Sequence, residues 1–335
     1  MIILGIDTSC DDTGVGIARG HEVLANVVAS QDDLHAEWGG VVPENASRQH
    51  LQVIDLILAR ALEKAGLELS QLDAVAATHG PGLVGALLVG LTFGKTLAWS
   101  LDKPFVPIHH LEGHIASALA DEEAEPPFLC LIASGGHTSL FNVKAWGDYE
   151  ELGSSRDDAA GEAFDKVARL LDLGFPGGPA LSKLAQAGDP TAFAFTRPLR
   201  GQTGFDFSFS GLKTAVATLL QKQPDADKAD VAASFEKTVV DSLSEVTLRA
   251  AEHTGYGTLV VAGGVAANRR LRTAFERSGL RLQLPTLELA TDNGAMIALA
   301  AQHKVLAQPD WSQDATPYLP LSGESIQDLR FKIQD

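Results

Sequence analysis

The stretch GIDTSCDDTG at residues 5–14 carries an apolar strand into a turn of hydroxyls and carboxylates and out again into a second strand. IILGID (2–7) is the incoming strand, and GVGIAR (14–19) and EVLANVVAS (22–30) are the next two. Aliphatic runs bounded by polar turn residues are the mark of consecutive strands. Small residues in such a turn let backbone N–H groups approach a phosphate, and a carboxylate there positions a nucleophile or a metal-bound water. Taken alone, the stretch reads equally well as a polar hairpin with Asx-type turns.

The same plan returns at ASGGHTSL (133–140), between the strands FLCLIA (128–133) and SLFNVKA (139–145). Gly135 and Gly136 remove Cβ obstruction and leave N–H donors open to an anion, while Ser134, His137 and Thr138 add polar groups. Two such hairpins, each opening one half of the chain, argue against two ordinary turns. A third element, VVAGGVAANRRLR (260–272), runs an apolar strand into Gly263 and Gly264 before a helix, with Asn268 in the first turn able to donate and accept. It lacks the G-x-G-x-x-G spacing of a dinucleotide site.

Between these elements the periodicity alternates between strand and helix, as in α/β folds. Helices are expected at 45–66, 82–101, about 159–172 and 229–254, with strands at 74–78, 105–108 and 258–264. A chain of 335 residues exceeds the roughly 250–300 that one core supports. The acidic, Pro-containing DEEAEPP (121–127) reads as a linker between two domains, 1–120 joined by about 293–325, and 121–292.

Composition narrows the function. A formal net charge of -17 excludes a broad basic face gripping nucleic acid, so any RNA partner requires a local patch or helper subunits. Arg269, Arg270, Arg272, Arg277 and Arg281 form such a patch, or else a solvated helix face. Cys10 and Cys130 are the only cysteines, too few for a disulfide framework and in keeping with a reducing cytoplasm. The first cation is Arg19, so no signal peptide is expected. The longest apolar stretch, from Gly82, is interrupted by Gly85, Gly90, Gly94 and Lys95, which predicts a buried helix and no membrane span.

IHHLEGHIASA, starting at Ile108, poses the chemical question. At about 100° per residue, His110 and His114 sit about 40° apart, one turn displaced, and can bind one metal ion. In the peptidase motif H-E-x-x-H the general base directly follows the first histidine. Here Glu112 lies about 200° around the helix from His110, badly placed for that role. LATDNGAMIALA (289–300) offers a third ligand, Asp292, just before a helix. Two histidines and one carboxylate with open positions suit iron(II), with zinc as the alternative.

In their order, the two hairpins, the Gly-Gly turn and the helices starting near His110 and Asn293 resemble the actin, sugar kinase and Hsp70 superfamily. That resemblance implies an α/β, two-lobed actin-like ATPase fold with a central nucleotide cleft between the lobes. The set GIDTSCDDTG, HLEGH, SGGHT, AGEAFDKVARLL, FPGGP, FSGLKT, GGVAANRRLR and TDNGAMIA, spread from about residue 2 to residue 300, is similar to the bacterial TsaD family, once described as glycoproteases. The resemblance implies an acyltransferase that moves the threonylcarbamoyl group of threonylcarbamoyl-adenylate to the exocyclic amine of the adenosine 3′ of the anticodon in tRNA, releasing AMP. It implies His110, His114 and Asp292 as ligands of one divalent ion; Ala133, Ser134, Gly135, Gly136, His137, Asp165, Gly178 and Asn268 as the adenylate site; and Asp11 as the group assisting the amine. It also implies a TsaB-like heterodimer partner and a TsaE-like ATPase; a helix of the first lobe, such as 45–66, is a reasonable docking face for a partner. The competing readings are a zinc metallopeptidase, favoured by the histidine spacing alone, a non-enzymatic nucleotide-binding scaffold, and a small-molecule kinase on the same fold.

Overall fold

The computed structural model describes residues 1–38, 40–120, 124–174, 176–304 and 311–322. Contacts divide the chain into two units, Met1–Glu125 with Ala145–Tyr149 and Pro285–Asp335, and Pro126–Lys144 with Glu150–Leu284. The chain thus re-enters the first unit at Pro285, earlier than the boundary read near 293, and Asp292 belongs to that unit. Leu289 accounts for the shift, because it is buried in the first unit's core, against which Trp146 of the short segment also packs. Residues 121–123 of the expected linker, Phe175 of FPGGP and residues 323–325 at the expected end of the first domain lie outside the described residues.

In the first unit β1 (Ile2–Asp7), β2 (Thr13–Arg19) and β3 (Glu22–Ala29) form an antiparallel meander. β4 (Ala74–Gly80) and β5 (Phe105–His109) continue the sheet in parallel, giving the order β3-β2-β1-β4-β5. The second unit is built on the same plan. β6 (Phe128–Ala133) pairs antiparallel with β7 (Thr138–Ala145) and parallel with β9 (Thr258–Ala262). β8 (Asp148–Ser154) and β10 (Arg281–Gln283) are the edges, and the order β8-β7-β6-β9-β10 matches the first sheet strand for strand. Sequence periodicity missed both edges. β8 carries Asp148, Glu150 and Glu151, and β10 is only three residues long, both common ways of blunting a sheet edge.

The helices are α1 (Asp32–Ala36), α2 (Pro43–Ala65), α3 (Val84–Ser100) and α4 (His110–Ser117) before the second sheet. Then come α5 (Ala160–Leu170), α6 (Gly177–Ala185), α7 (Ser210–Lys222), α8 (Lys228–Thr254), α9 (Arg269–Glu276) and α10 (Gly294–Gln302). α2 starts on Pro43, whose fixed φ suits a first turn, and stops at Gly66, which takes φ +65 as a left-handed cap. It buries Ala46, His50, Ile54, Ile57, Leu58 and Ala61, one helical face. α10 differs in being apolar on all sides and buried from Gly294 to Ala301.

α10 can be buried so deeply because the strands beneath it lack Cβ atoms where it crosses them. A Cβ at Gly16 would stand 2.1 Å from the amide nitrogen of Ala295, one at Gly5 would stand 2.3 Å from that of Ala298, and one at Gly14 would stand 2.5 Å from that of Gly294. Helix backbone therefore lies directly on sheet backbone, and GIDTSCDDTG needs Gly5 and Gly14 for packing as much as for its turn.

Two measurements test these statements. Gly16→Ala should lower stability by about 1–3 kcal/mol or more, the usual result of overpacking, as read by urea unfolding. Gly211→Ala, in α7 with open space around the added carbon, should be neutral or slightly stabilising. The second measurement concerns His79 and His303 of the first unit. Burial first, and then the cations Lys304 and Lys95, push His79 down to about 4. Burial, and then His21, push His303 down to about 4. Both are neutral when folded and protonate near 6.5 when unfolded, so their contribution is whole above pH 6.5 and is lost as the pH falls toward 4. Unfolding midpoints should drop across that window, and His79→Asn should remove part of the slope, which for His79 amounts to on the order of 3 kcal/mol.

Candidate metal centre and nucleotide-binding turn

α4 begins where β5 ends. His109 is its N-cap, with Nδ1 accepting from the Leu111 amide at 3.1 Å and Nε2 donating to the Leu319 carbonyl at 2.9 Å. The helix is buried along its whole length, so the rings of His110 and His114 are confined to the interior. They meet edge to face with centroids 4.7 Å apart. Both Nε2 atoms face one carboxylate oxygen, Asp292 Oδ1, at 3.7 Å from His110 and 3.2 Å from His114.

The residues fit a metal ion. One ligand atom from each of His110, His114 and Asp292 lies within 4.8 Å of the others, the only such His, Cys, Asp or Glu group among the described residues. His114 is fully buried, with Nε2 facing the Asp292 carboxylate at 3.2 Å and neither ring nitrogen in a well-formed hydrogen bond, a costly state for an imidazole that ligation at Nε2 would partly relieve. Charge points the same way. Burial alone would lower the His110 pKa, but the carboxylates of Asp292 and Asp7 outweigh it and hold it up at about 9. Burial, then the charges of Asp292 and Asp11, push Asp12 up to about 7. The site thus favours positive charge at His110 and disfavours further negative charge around it, the environment a divalent cation requires.

Sequence reading missed Asp7. It is the last residue of β1, almost fully buried, and its Oδ1 stands 3.5 Å from His110 Nδ1 on the far side of the ring from Asp292. Thr78 Oγ1 donates to Oδ1 at 2.5 Å and Ser9 Oγ to Oδ2 at 3.1 Å. A carboxylate behind a ligating imidazole fixes its orientation and raises its basicity. The signal was present as an acid at the inner end of an otherwise apolar strand. Asp11 occupies the β1–β2 turn, half-buried, and its charge raises the thiol of Cys10 after burial has done so.

Glu112 is not available as a peptidase base. Its Oε1 accepts from the Tyr149 hydroxyl at 3.0 Å, and its Oε2 pairs with Lys304 at 2.9 Å.

In the second unit the turn after β6 is held as a compact loop. The Ser134 amide donates to the His137 carbonyl at 2.8 Å, and the His137 amide donates back to Ser134 Oγ at 3.1 Å. Gly135 and Gly136 are exposed, with open space on their Cβ sides. Two glycines seat neighbouring elements against this turn. A Cβ at Gly161 would lie 2.5 Å from the Ser134 carbonyl oxygen, and one at Gly263, which has φ +86, would lie 2.5 Å from that of Ala133. The start of α5 and the Gly-Gly turn after β9 therefore abut Ala133 and Ser134.

Asp165 on α5 accepts at Oδ1 from the amides of Gly177 at 2.9 Å and Gly178 at 3.1 Å, holding the first turn of α6. Asn268 caps α9 by accepting from the Leu271 amide at 3.0 Å and donates to Ser182 Oγ at 3.0 Å and Glu236 Oε1 at 2.7 Å. Both of its amide hydrogens are thereby engaged, so the residue read as able to donate and accept does both and is a bracket between α6, α8 and α9. Gly263 abuts Ala133, Asp165 holds Gly178, and Asn268 holds Ser182 one turn further along α6. The arginine patch is thinner than its spacing suggests. Arg270 reaches Glu236 at 3.4 Å and Arg272 donates to the Ala266 carbonyl at 2.6 Å, leaving Arg269, Arg277 and Arg281 exposed.

Solved structures share this fold at low identity. Component A of the Acidaminococcus fermentans (R)-2-hydroxyglutaryl-CoA dehydratase is 18% identical with a TM-score of 0.53, over 90% of this chain and 96% of that one. HypF of T. kodakarensis is 14% identical with a TM-score of 0.59, over 90% of this chain and 46% of that one. Both carry the actin-like ATPase fold expected from the hairpins. Sequence relatives are far nearer. A tRNA N6-adenosine threonylcarbamoyltransferase of Thermus thermophilus is 56% identical over 324 residues, 96% of this chain and 99% of that protein. One of Microcystis aeruginosa is 53% identical, over 96% of this chain and 97% of that protein. With residues 22–299 matching the family model TsaD, tRNA N6-adenosine threonylcarbamoyltransferase, the chain belongs to that family.

Proposed function

We propose that this tRNA threonylcarbamoyltransferase takes its acyl group from threonylcarbamoyl-adenylate and places it on N6 of the adenosine 3′ of the anticodon in tRNAs reading codons that begin with A. The amine nitrogen attacks the carbamoyl carbon, the bond from that carbon to the phosphate oxygen breaks, AMP leaves, and the amine loses a proton. The donor is already an activated mixed anhydride, so the protein's work is to position the amine and to stabilise charge on the carbonyl and phosphate oxygens. The convergence of His110, His114 and Asp292 carries this reading, because a cation held by them would stabilise the charge that develops on the donor's oxygens.

His110, His114 and Asp292 hold one divalent ion, iron(II) or zinc by donor type. When bound, that ion supplies Lewis-acid polarisation of donor oxygens. Asp7 keeps His110 oriented through Nδ1. Asp11, in the same turn as the acids whose charge it shares, takes the proton from the attacking amine. In the second unit, Ala133, Ser134, Gly135, Gly136 and His137 present backbone N–H groups and small side chains to the adenylate phosphate. Asp165 fixes Gly178 and the start of α6, and Asn268 fixes Ser182 and the Gly-Gly turn, so that adenosine meets preset backbone.

A chain of net charge -17 supports dependence on helper proteins to hold tRNA, and the family resemblance suggests a TsaB-like heterodimer partner and a TsaE-like ATPase working in the cytoplasm. No helix among the described residues is long and apolar enough to cross a membrane. α2 exposes Leu51 (67%) and Leu56 (59%), about 140° apart around the helix, and exposed aliphatics there support this helix as a docking surface.

The test is nucleoside mass spectrometry of unmodified tRNA incubated with this protein, its helpers and threonylcarbamoyl-adenylate. Wild type should form N6-threonylcarbamoyladenosine. His114→Ala and Asp292→Ala should form it more than about 100-fold more slowly, since even contacts one layer out from a metal are worth roughly 10- to 100-fold. Absence of product from wild type with active helpers would overturn the donor assignment, and full activity in both variants would overturn the metal assignment.

A further inference from the structure

The side of α4 opposite the two histidines carries a buried charge network that the transfer chemistry does not use. Glu112 stands two residues from His110 and two from His114, about 200° around the helix from each. It is 6% exposed, and a carboxylate that deep is costly unless fully partnered. Its partners are complete: Tyr149 Oη donates to Oε1 at 3.0 Å, Lys304 Nζ lies 2.9 Å from Oε2, and the His109 amide donates to Oε2 at 3.4 Å. The last of these is half of a capping box with His109.

The placement of Lys304 gives the network its meaning. Asp292 precedes α10 by two residues and Lys304 follows its end by two. The nine residues of α10 rise about 13 Å. α4 packs against the middle of α10 through Gly113, where an added Cβ would meet Ile297 Cδ1 at 2.9 Å and Met296 Cγ at 3.0 Å. It thus meets α10 at three points: histidines against Asp292 before the start, Gly113 at the centre, and Glu112 against Lys304 beyond the end. A helix of eight residues has little stability of its own, so its orientation is set by its surroundings: the buried Leu111, Ile115 and Ala116, the close contact of Gly113 with α10, and the buried ion pair on the side away from the histidines. Apolar packing tolerates small rotations, and the ion pair adds a directional restraint against them.

We propose that Glu112 is a positioning residue for the metal centre: held by Tyr149 and Lys304, it sets the rotational phase of α4 so that both histidine Nε2 atoms face Asp292. This rests on the reading of His110, His114 and Asp292 as metal ligands. Glu112 touches neither the ion nor the substrate, and its removal acts through the angle at which the two imidazoles arrive.

The test uses cobalt(II) as probe on the full chain, measuring affinity by titration and ligand geometry from the visible d–d spectrum. Glu112→Ala should bind cobalt about 10- to 100-fold more weakly with an altered spectrum, as expected when a ligand's support is removed. Glu112→Gln, which keeps the shape and can still accept from Tyr149, should recover part of the loss, and Tyr149→Phe should show a smaller one. In the transfer assay, kcat should fall while KM for tRNA holds. Wild-type affinity and spectrum in folded Glu112→Ala would overturn the proposal. Should that variant fail to fold, wild-type affinity and spectrum in both Glu112→Gln and Tyr149→Phe would overturn it equally. His114→Ala separates the two readings: if it binds cobalt like wild type, the metal assignment itself fails, whereas lost binding there with unchanged binding in the Glu112 variants removes only the positioning role.

Discussion

The backbone of α10 lies on the backbone of β1 and β2 with no side chain between them, and the metal-ligand geometry of the first unit depends on that approach. Gly5, Gly14, Gly16 and Gly294 make it possible, since a Cβ at any of the four would fall within 2.5 Å of main-chain atoms. The helix is consequently fixed in height and direction. Asn293 then fixes the bend before it, accepting from the Met296 amide at 2.9 Å and donating to the Leu289 and Thr291 carbonyls at 3.3 and 2.8 Å. Asp292 therefore stands on a clamped residue, and the carboxylate reaches the histidines because the chain on either side of it has no freedom to move.

What the clamp assembles is electrostatically unbalanced on its own. Asp7 and Asp292 flank the two imidazoles, and burial first, then the charges of Asp292 and Asp11, raise the pKa of Asp12. A fold does not retain such a cluster for stability, because buried acids of like charge work against it. They persist where function supplies the missing positive charge. In the second unit the corresponding turn has no carboxylate between its strands and offers glycine backbone in its place, which suits an anion. The two turns occupy the same place in two sheets of the same strand order and have opposite electrical character.

Much of this was legible in the sequence, for identifiable reasons. The three-strand opening, α2 with its Gly66 cap, and the spacing of His110 and His114 are local signals, set by residues within a turn or two of each other; the start of α2 at Pro43, two residues before the expected one, was not read. The boundary at Pro285 was not legible, because it depends on where Leu289 finds its core. Asp7 escaped notice because its partner His110 is distant in sequence, and a strand-end acid has meaning only once that partner is placed. Asn268 was read as able to donate and accept, and it does both; its donor partners Glu236 and Ser182 were not legible because they converge on it from α8 and α6. The arginine run left two readings open, a local patch or a solvated helix face, because nothing local discloses that the buried Glu236 and the Ala266 carbonyl engage two of its members. Edge strands β8 and β10 failed periodicity for a different cause, being charged or too short to alternate.

The unequal burial of the three ligands bears on how an ion would come and go. His114 is fully enclosed and His110 nearly so, while the Asp292 side chain is 27% exposed. An ion held there would meet solvent on the side of the carboxylate and protein on the side of the imidazoles, so its exchange would pass by Asp292.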